Sequence, residues 1–275
     1  MFLQCCPEDI RFLLSRSVQI RQCFRTHRSA PQLDALVKSL AEEPPFGPGF
    51  AKEKSFCFSR STPGAKQALG EFTEMLSRLG FLFPDSTVSL SRADLVFSVI
   101  FLEEVYFCQF VGESVRRKEL EQFDLKKRRY IGMTTMDAEL SLVMANIGRA
   151  RKGTVFYDPF VGTGGVLCAC GWKGSYTVGS DIDGRPIRGD IVVRKVRNEK
   201  RTSLLTNMAD YSIERRYLGS VVADATRLPF RAGSLFDGIV TDPPYGVRAG
   251  SVQLVSSDPA REGCQKKAAY ETEAL

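Results

Sequence analysis

From Asp137 onward, short apolar runs alternate with helical stretches, and this constrains the fold more than any other feature of the chain. Helical periodicity predicts a helix over 138–147, another opening over 165–170 and a third over 187–196. Between them, 154–157, 176–180, 220–223 and 236–241 read as strands, rich in Val, Phe, Tyr and Ile. A chain that alternates in this way buries itself as a parallel sheet with helices on its faces. Open α/β sheets bind ligands at the carboxyl ends of their strands. Four residue clusters fall at those ends.

The first is Asp158-Pro159-Phe160-Val161-Gly162-Thr163-Gly164-Gly165, a strand running into a glycine-rich turn that opens a helix. Gly162, Gly164 and Gly165 permit tight backbone geometry and close approach by a ligand. A dinucleotide site competes for such a turn, but the spacing is G-x-G-G rather than G-x-G-x-x-G. The second is Ser180-Asp181-Ile182-Asp183, whose carboxylates lie 17 and 19 residues after Gly164. An acidic group there can accept the hydroxyls of a ribose, or simply cap the next helix. The third is Ala223-Asp224-Ala225-Thr226, where Asp224 is a turn residue or an acceptor for an adenine amino group. The fourth, Thr241-Asp242-Pro243-Pro244-Tyr245-Gly246, is the most specific. The exocyclic amine of a nucleobase is a poor nucleophile, because its lone pair is delocalised into the ring. Asp242 and a prolyl carbonyl can accept its two N–H groups and return density to nitrogen. Pro243 and Pro244 stiffen the turn and bring no competing N–H. Tyr245 can stack on a base turned out of its helix.

The amino-terminal part has a different pattern. Residues 1 to about 40 read as helical, with Ile10, Leu13, Leu14 and Val18 on one face and Leu33, Leu36, Val37 and Leu40 on another. The stretch 42–49, with three Pro and two Gly, breaks the chain. Phe56 and Phe58 suggest a short strand, and 65–80 a helix with Leu69, Phe72, Met75, Leu76 and Leu79 inward. Residues 88–90, 95–100 and 105–110 read as strands. The expected division is a small α+β module over 1–115, a basic linker over 116–130, the ligand-binding domain over 131–250 and a loose tail over 251–275. Residues 116–129 hold seven basic and three acidic residues, as a solvated helix or linker would. Lys126, Lys127, Arg128 and Arg129 are the candidates for contact with an RNA backbone.

Composition excludes several classes. The net charge of +6 fits a polyanionic partner. Eight Cys without a C-x-x-C pair and a single His, His27, argue against a zinc site and for free thiols in a reducing compartment. No apolar run approaches the roughly 20 residues of a spanning helix, and the opening MFLQCCPEDIRF lacks a basic secretory start. A soluble intracellular, cytoplasmic protein is expected.

In order, DPFVGTGG, SDIDGR, VVADATRLPF and DGIVTDPPYG resemble a class I methyltransferase of the amino-methylating kind. The upstream RRYIGMTTMDAELSLVMANIGRARKGTVFYDPFVGTGG narrows the resemblance to the catalytic subunits of tRNA guanine-10 N2-methyltransferases, which carry a THUMP domain. The likeness is dense over 130–247 and looser over 8–129. It implies a Rossmann-like methyltransferase sheet preceded by a partial THUMP-like module that binds RNA. It implies S-adenosyl-L-methionine as cofactor, a tRNA guanine as substrate and a small zinc-binding activator subunit as partner. Asp158, Phe160, Gly162 and Gly164 would border the methionine part of the cofactor, with Thr134, Thr135 and Met136 closing over that end. Asp181 or Asp183 would hold the ribose, and Asp224 would face the adenine. Asp242, Pro243, Pro244 and Tyr245 would hold the target guanine. The family's sheet continues past DPPY with further strands, whereas 30 residues follow Tyr245 here, so a shortened chain is expected. The rival readings are a non-catalytic form that binds RNA or the activator, an amino-methyltransferase acting on DNA or on protein glutamine, and, least favoured because DPPY would then have no role, a nicotinamide dehydrogenase.

Overall fold

The computed structural model describes residues 4–47, 49–59, 69–132, 135–189, 202–231, 233 and 235–245. The chain divides into two compact units, Met1–Glu119 and Leu120–Leu275. The expected tail and the first residues of the helix expected over 65–80 lie outside the described residues.

The amino-terminal unit runs α1 (Pro7–Arg16), β1 (Gln22–Ala30), α2 (Leu33–Glu42), β2 (Ser55–Phe58), α3 (Leu69–Leu79), β3 (Thr87–Val88), β4 (Leu95–Phe101) and β5 (Val105–Glu113). Its five strands pair in the order β1-β5-β4-β2-β3. β1 and β4 flank β5 antiparallel, while β2 is parallel to both β4 and β3.

β1 corrects the expectation of helix through the first 40 residues. QCFRTHRSA has neither a helical stripe nor clean alternation, because β1 is an edge strand with a register shift between Thr26 and Arg28. Its pairing with β5, about 80 residues away in sequence, makes it a strand. Local propensity does not.

The phenylalanine bias becomes a core here. Phe97 and Phe107, both fully buried, stack with centroids 5.4 Å apart. Phe46, Phe56, Phe58 and Phe83 surround them. Leu36, Leu40, Met75 and Leu79 supply the helical side. Phe97→Ala is expected to destabilise this unit by about 3–5 kcal/mol, the usual cost of emptying a packed aromatic site. Chemical denaturation of the variant measures it.

The second unit begins within α4 (Arg116–Gln122). It continues α5 (Ala138–Ile147), β6 (Val155–Asp158), α6 (Gly165–Trp172), β7 (Tyr176–Asp181), α7 (Gly184–Arg188), α8 (Leu204–Asp210), β8 (Tyr217–Val222) and β9 (Gly238–Ile239). Its four described strands form an all-parallel sheet in the order β8-β7-β6-β9. The chain runs outward from β6 through β7 to β8, then returns to the other side of β6 for β9. The order therefore reverses at β6/β9, where such sheets open a crevice at their carboxyl ends.

α6 is apolar on all sides and six of its residues are buried, as a helix covered by both sheet and neighbour requires. α5 is capped by Asp137, whose side chain accepts from the Leu140 N–H.

Two helix expectations shift. The helix read over 187–196 begins earlier, as α7, and stops at Gly189, whose φ of +82° ends the turn. Residues 190–196 lie outside the described residues. α8 escaped notice because its capping box uses Thr206 where Glu or Gln is usual, opposite Ser203.

Candidate active site

Three strand ends converge. β6 ends in Asp158, β7 in Asp181, and the chain leaving β9 carries Thr241 and Asp242. Asp158 is 2% exposed. Its Oδ1 accepts from the Phe160 N–H at 3.0 Å and the Thr241 hydroxyl at 2.6 Å. Burial pushes its carboxyl up to about 6; the two donated hydrogen bonds pull down, and the charges of Asp181 and Asp242 push up.

That shift has a stability consequence. The folded chain holds the Asp158 proton more tightly than an unfolded chain with its ordinary value of 3.8. Stability is therefore lost as pH rises from about 4 through about 6, by roughly 3 kcal/mol in all. Asp158→Asn is expected to raise the melting temperature of the ligand-free protein at pH 8 and to give no gain near pH 4. Thermal melts at the two pH values check it, and an equal change at both would refute it.

The glycine turn is built around Asp181. Its Oδ2 accepts from the Gly162 N–H at 2.8 Å and its Oδ1 from the Asp183 N–H at 3.0 Å. Burial raises the Asp181 carboxyl, against those backbone donors. Gly162 has φ +48° and Gly164 φ +80°, both in the left-handed region. A Cβ on Gly162 would enter open space, whereas a Cβ on Gly164 would stand 2.8 Å from Leu204 Cγ. Asp183 caps α7 through the Arg185 N–H, and its two oxygens hold the Arg185 guanidinium. That contact lowers its carboxyl below the usual range. Asp224 is buried at the end of β8, with Oδ1 accepting from the N–H and hydroxyl of Thr226.

Thr135 lies over the turn: its Oγ1 is 3.1 Å from Thr163 Oγ1 and accepts from the Gly132 N–H. Met136 and Phe160 are half-buried. Thr134 lies outside the described residues. Pro243, Pro244 and Tyr245 are exposed, Tyr245 at 78%. The Tyr245 hydroxyl donates to Asp242 Oδ1 at 2.7 Å, which raises the phenol.

The basic cluster is split, which corrects its reading as one RNA-binding run. Arg128 is 5% exposed. One of its amino groups donates to the Thr163 carbonyl and Cys168 Sγ, and its guanidinium lies 5.8 Å from the Tyr211 ring centre. It supports the glycine turn from behind and offers nothing to solvent. Arg129 is held by Asp210. Lys126 and Lys127 remain exposed, Lys127 beside Glu121.

Sequence reasoning also missed Asn207, fully buried in α8. Its amide donates to the carbonyls of Tyr130 and Thr163, and its Oδ1 accepts the Tyr130 N–H. It thus joins the segment before Thr135 to the glycine turn. A signal existed: Leu204, Asn207 and Met208 share one helical face, so an amide was set among buried apolar side chains.

Among the described residues there is no cluster of His, Cys, Asp and Glu able to hold a metal ion, and no helix long and apolar enough to cross a membrane. The cysteines described are free thiols.

Residues 126–257 match the family model of the RMKL-like methyltransferase domain, UPF0020. The chain is 34% identical to tRNA (guanine(10)-N(2))-methyltransferase of Schizosaccharomyces pombe, covering 93% of this chain and 54% of that protein. It is 32% identical to tRNA (guanine(10)-N(2))-methyltransferase TRMT11 of Homo sapiens, covering 94% of this chain and 60% of that protein. Among solved structures, TrmN from Thermus thermophilus aligns with 82% of this chain and 63% of its own at 16% identity and a TM-score of 0.41, a superposition too loose to add to the assignment. The chain thus spans little more than half the length of the curated relatives it matches. Over most of its length the chain is thus similar to part of the tRNA (guanine(10)-N(2))-methyltransferases, and its residues 126–257 resemble the RMKL-like methyltransferase domain.

Proposed function

We propose that this protein transfers a methyl group from S-adenosylmethionine to the exocyclic N2 amine of a guanine in tRNA, at position 10. The observation that carries the reading is the meeting of two loops. The Asp242-Pro243-Pro244-Tyr245 turn and the glycine turn leave neighbouring strands at the reversal of the sheet, joined by the Thr241–Asp158 hydrogen bond.

The residues fit the cofactor. Asp158 is buried, the charges of Asp181 and Asp242 add to the cost of ionising it, and a ligand bearing an ammonium and a sulfonium relieves that cost. Gly162 has open space where a side chain would stand. Asp158, Phe160, Gly162, Gly164, Thr135 and Met136 would surround the methionine part, Asp181 or Asp183 the ribose, and Asp224 the adenine. The sulfonium supplies an activated methyl carbon.

The chain's own groups orient the acceptor. Asp242 and a prolyl carbonyl take the two amine hydrogens, and Asp242 receives the proton released on transfer. Tyr245, exposed beside Asp242, stacks on the guanine. Holding amine, methyl and sulfur in line can supply roughly 7–11 kcal/mol of the barrier. The amino-terminal unit acts as the THUMP-like RNA-binding module, aided by Lys126 and Lys127. A small zinc-binding activator subunit completes the enzyme, which works on tRNA in the cytoplasm.

The test is transfer of labelled methyl from S-adenosylmethionine to unmodified tRNA by the chain co-expressed with the activator. Label at guanine 10, absent from duplex DNA, supports the reading. Cofactor binding without transfer to tRNA overturns it in favour of a binding module.

A further inference from the structure

We infer that Thr241 is a positioning residue whose hydroxyl fastens the Asp242 turn to the buried carboxylate of Asp158, so that the guanine-holding and cofactor-holding loops are set as one piece. The inference rests on the function proposed above. Thr241 adjoins Asp242, and its Oγ1 donates to Asp158 Oδ1 at 2.6 Å. β9 contributes only Gly238 and Ile239 to the ladder with β6, and the backbone bond from the Val240 N–H to the Tyr157 carbonyl is the last before the turn. Beyond it Pro243, Pro244 and Tyr245 are exposed. Two prolines stiffen the turn internally but donate no N–H to anchor it. The Thr241 side chain therefore supplies an anchor one residue from the group that orients the amine.

The same bond acts on Asp158. The groups facing that carboxylate are Asp181 from the end of β7, Asp242 beyond β9, the Cys170 thiol of α6 and the neighbouring Tyr157. Both carboxylates oppose its ionisation, and the Thr241 hydroxyl and the Phe160 N–H favour it. Without the hydroxyl, Asp158 would take up a proton at higher pH and lose its attraction for the ammonium group of the cofactor. A cofactor-side carboxylate is thus kept charged by a residue of the substrate-side loop.

Thr241→Val keeps the shape and removes the donor; Thr241→Ser keeps the donor. The full chain is titrated with S-adenosylmethionine by calorimetry from pH 5.5 to 8.5, and kcat and KM for methyl transfer to tRNA are measured with the activator present. In wild type, affinity is expected to fall as pH drops through about 6. In Thr241→Val this limb is expected to move to higher pH by about half to one unit, the equivalent of one hydrogen bond. Affinity at pH 8.5 should stay within about twofold, and kcat should fall about tenfold as the Asp242 turn loosens. Thr241→Ser should restore both.

An unmoved limb in soluble Thr241→Val overturns the inference, as does a loss of affinity equal at every pH. Should Thr241→Val be insoluble, Thr241→Ala carries the test: a limb moved to higher pH supports the inference, and a wild-type limb overturns it. The binding limb needs no turnover. Absent transfer by wild type counts against the proposed reaction alone, while a normal limb in Thr241→Val counts against the role of Thr241 alone.

Discussion

Asp242→Ala is expected to lower kcat/KM for tRNA methylation by about a thousandfold or more, with S-adenosylmethionine affinity within about threefold of wild type. The magnitude follows from what the carboxylate does. A guanine N2 amine donates its lone pair to the ring and attacks only when both hydrogens are accepted and the nitrogen is turned toward the methyl carbon. Removing one preorganised polar partner from a reacting group costs roughly a hundred- to a thousandfold, and Asp242 also takes the proton.

Asp242 is placed for this. It follows Thr241, which is tied to Asp158, and its Oδ1 already accepts one hydrogen bond from Tyr245. A carboxylate has further lone pairs, so the amine and the phenol can share it. Calorimetry with the cofactor and initial rates with tRNA separate the two effects. A parallel loss of cofactor binding and transfer would show that Asp242 shapes the cofactor site and would sink its assignment to the amine.

Gly164→Ala should weaken S-adenosylmethionine binding by about 30- to 100-fold. Two costs add. Gly164 has φ +80° and ψ +25°, where an L-residue costs roughly 1–2 kcal/mol. Its new Cβ would also stand 2.8 Å from Leu204 Cγ. α8 cannot simply retreat, because Asn207 on the same helix is bonded to the Thr163 carbonyl and to both backbone groups of Tyr130. The turn must therefore shift, and with it the Gly162 N–H that Asp181 holds. The double variant Gly164→Ala with Leu204→Ala should recover the steric part and leave the conformational part. Full recovery would mean that the backbone conformation carries no cost. Unchanged affinity in Gly164→Ala alone would mean that the turn does not border the cofactor.

The clusters that carry this chemistry were legible because each combines residue types with few other uses in a fixed order along alternating strands. DPFVGTGG, SDID, ADAT and TDPPY could be set at strand ends from periodicity alone. The edge strand β1 could not. Its residues are half exposed, so burial leaves no period-two mark on them, and β5 makes them a strand. Arg128 misled for a related reason. In the run KKRR, four cations look alike, and only packing shows that one turns inward to the Thr163 carbonyl and Cys168 while its neighbours stay at the surface.

By itself, then, the sequence determined the parallel α/β unit, the glycine turn and the identity of the acidic groups at the ligand end, since periodicity and local backbone chemistry suffice for these. Tertiary structure alone decided how those groups act on one another. Asp158 reaches about 6 because it is buried between strands that place Asp181 and Asp242 nearby, and Thr241 meets it across 83 positions of chain. Asn207 matters because α8 packs on the glycine turn. Charge, burial and hydrogen bonding between distant segments depend on distances in space, and those exist only once the sheet has closed the chain on itself.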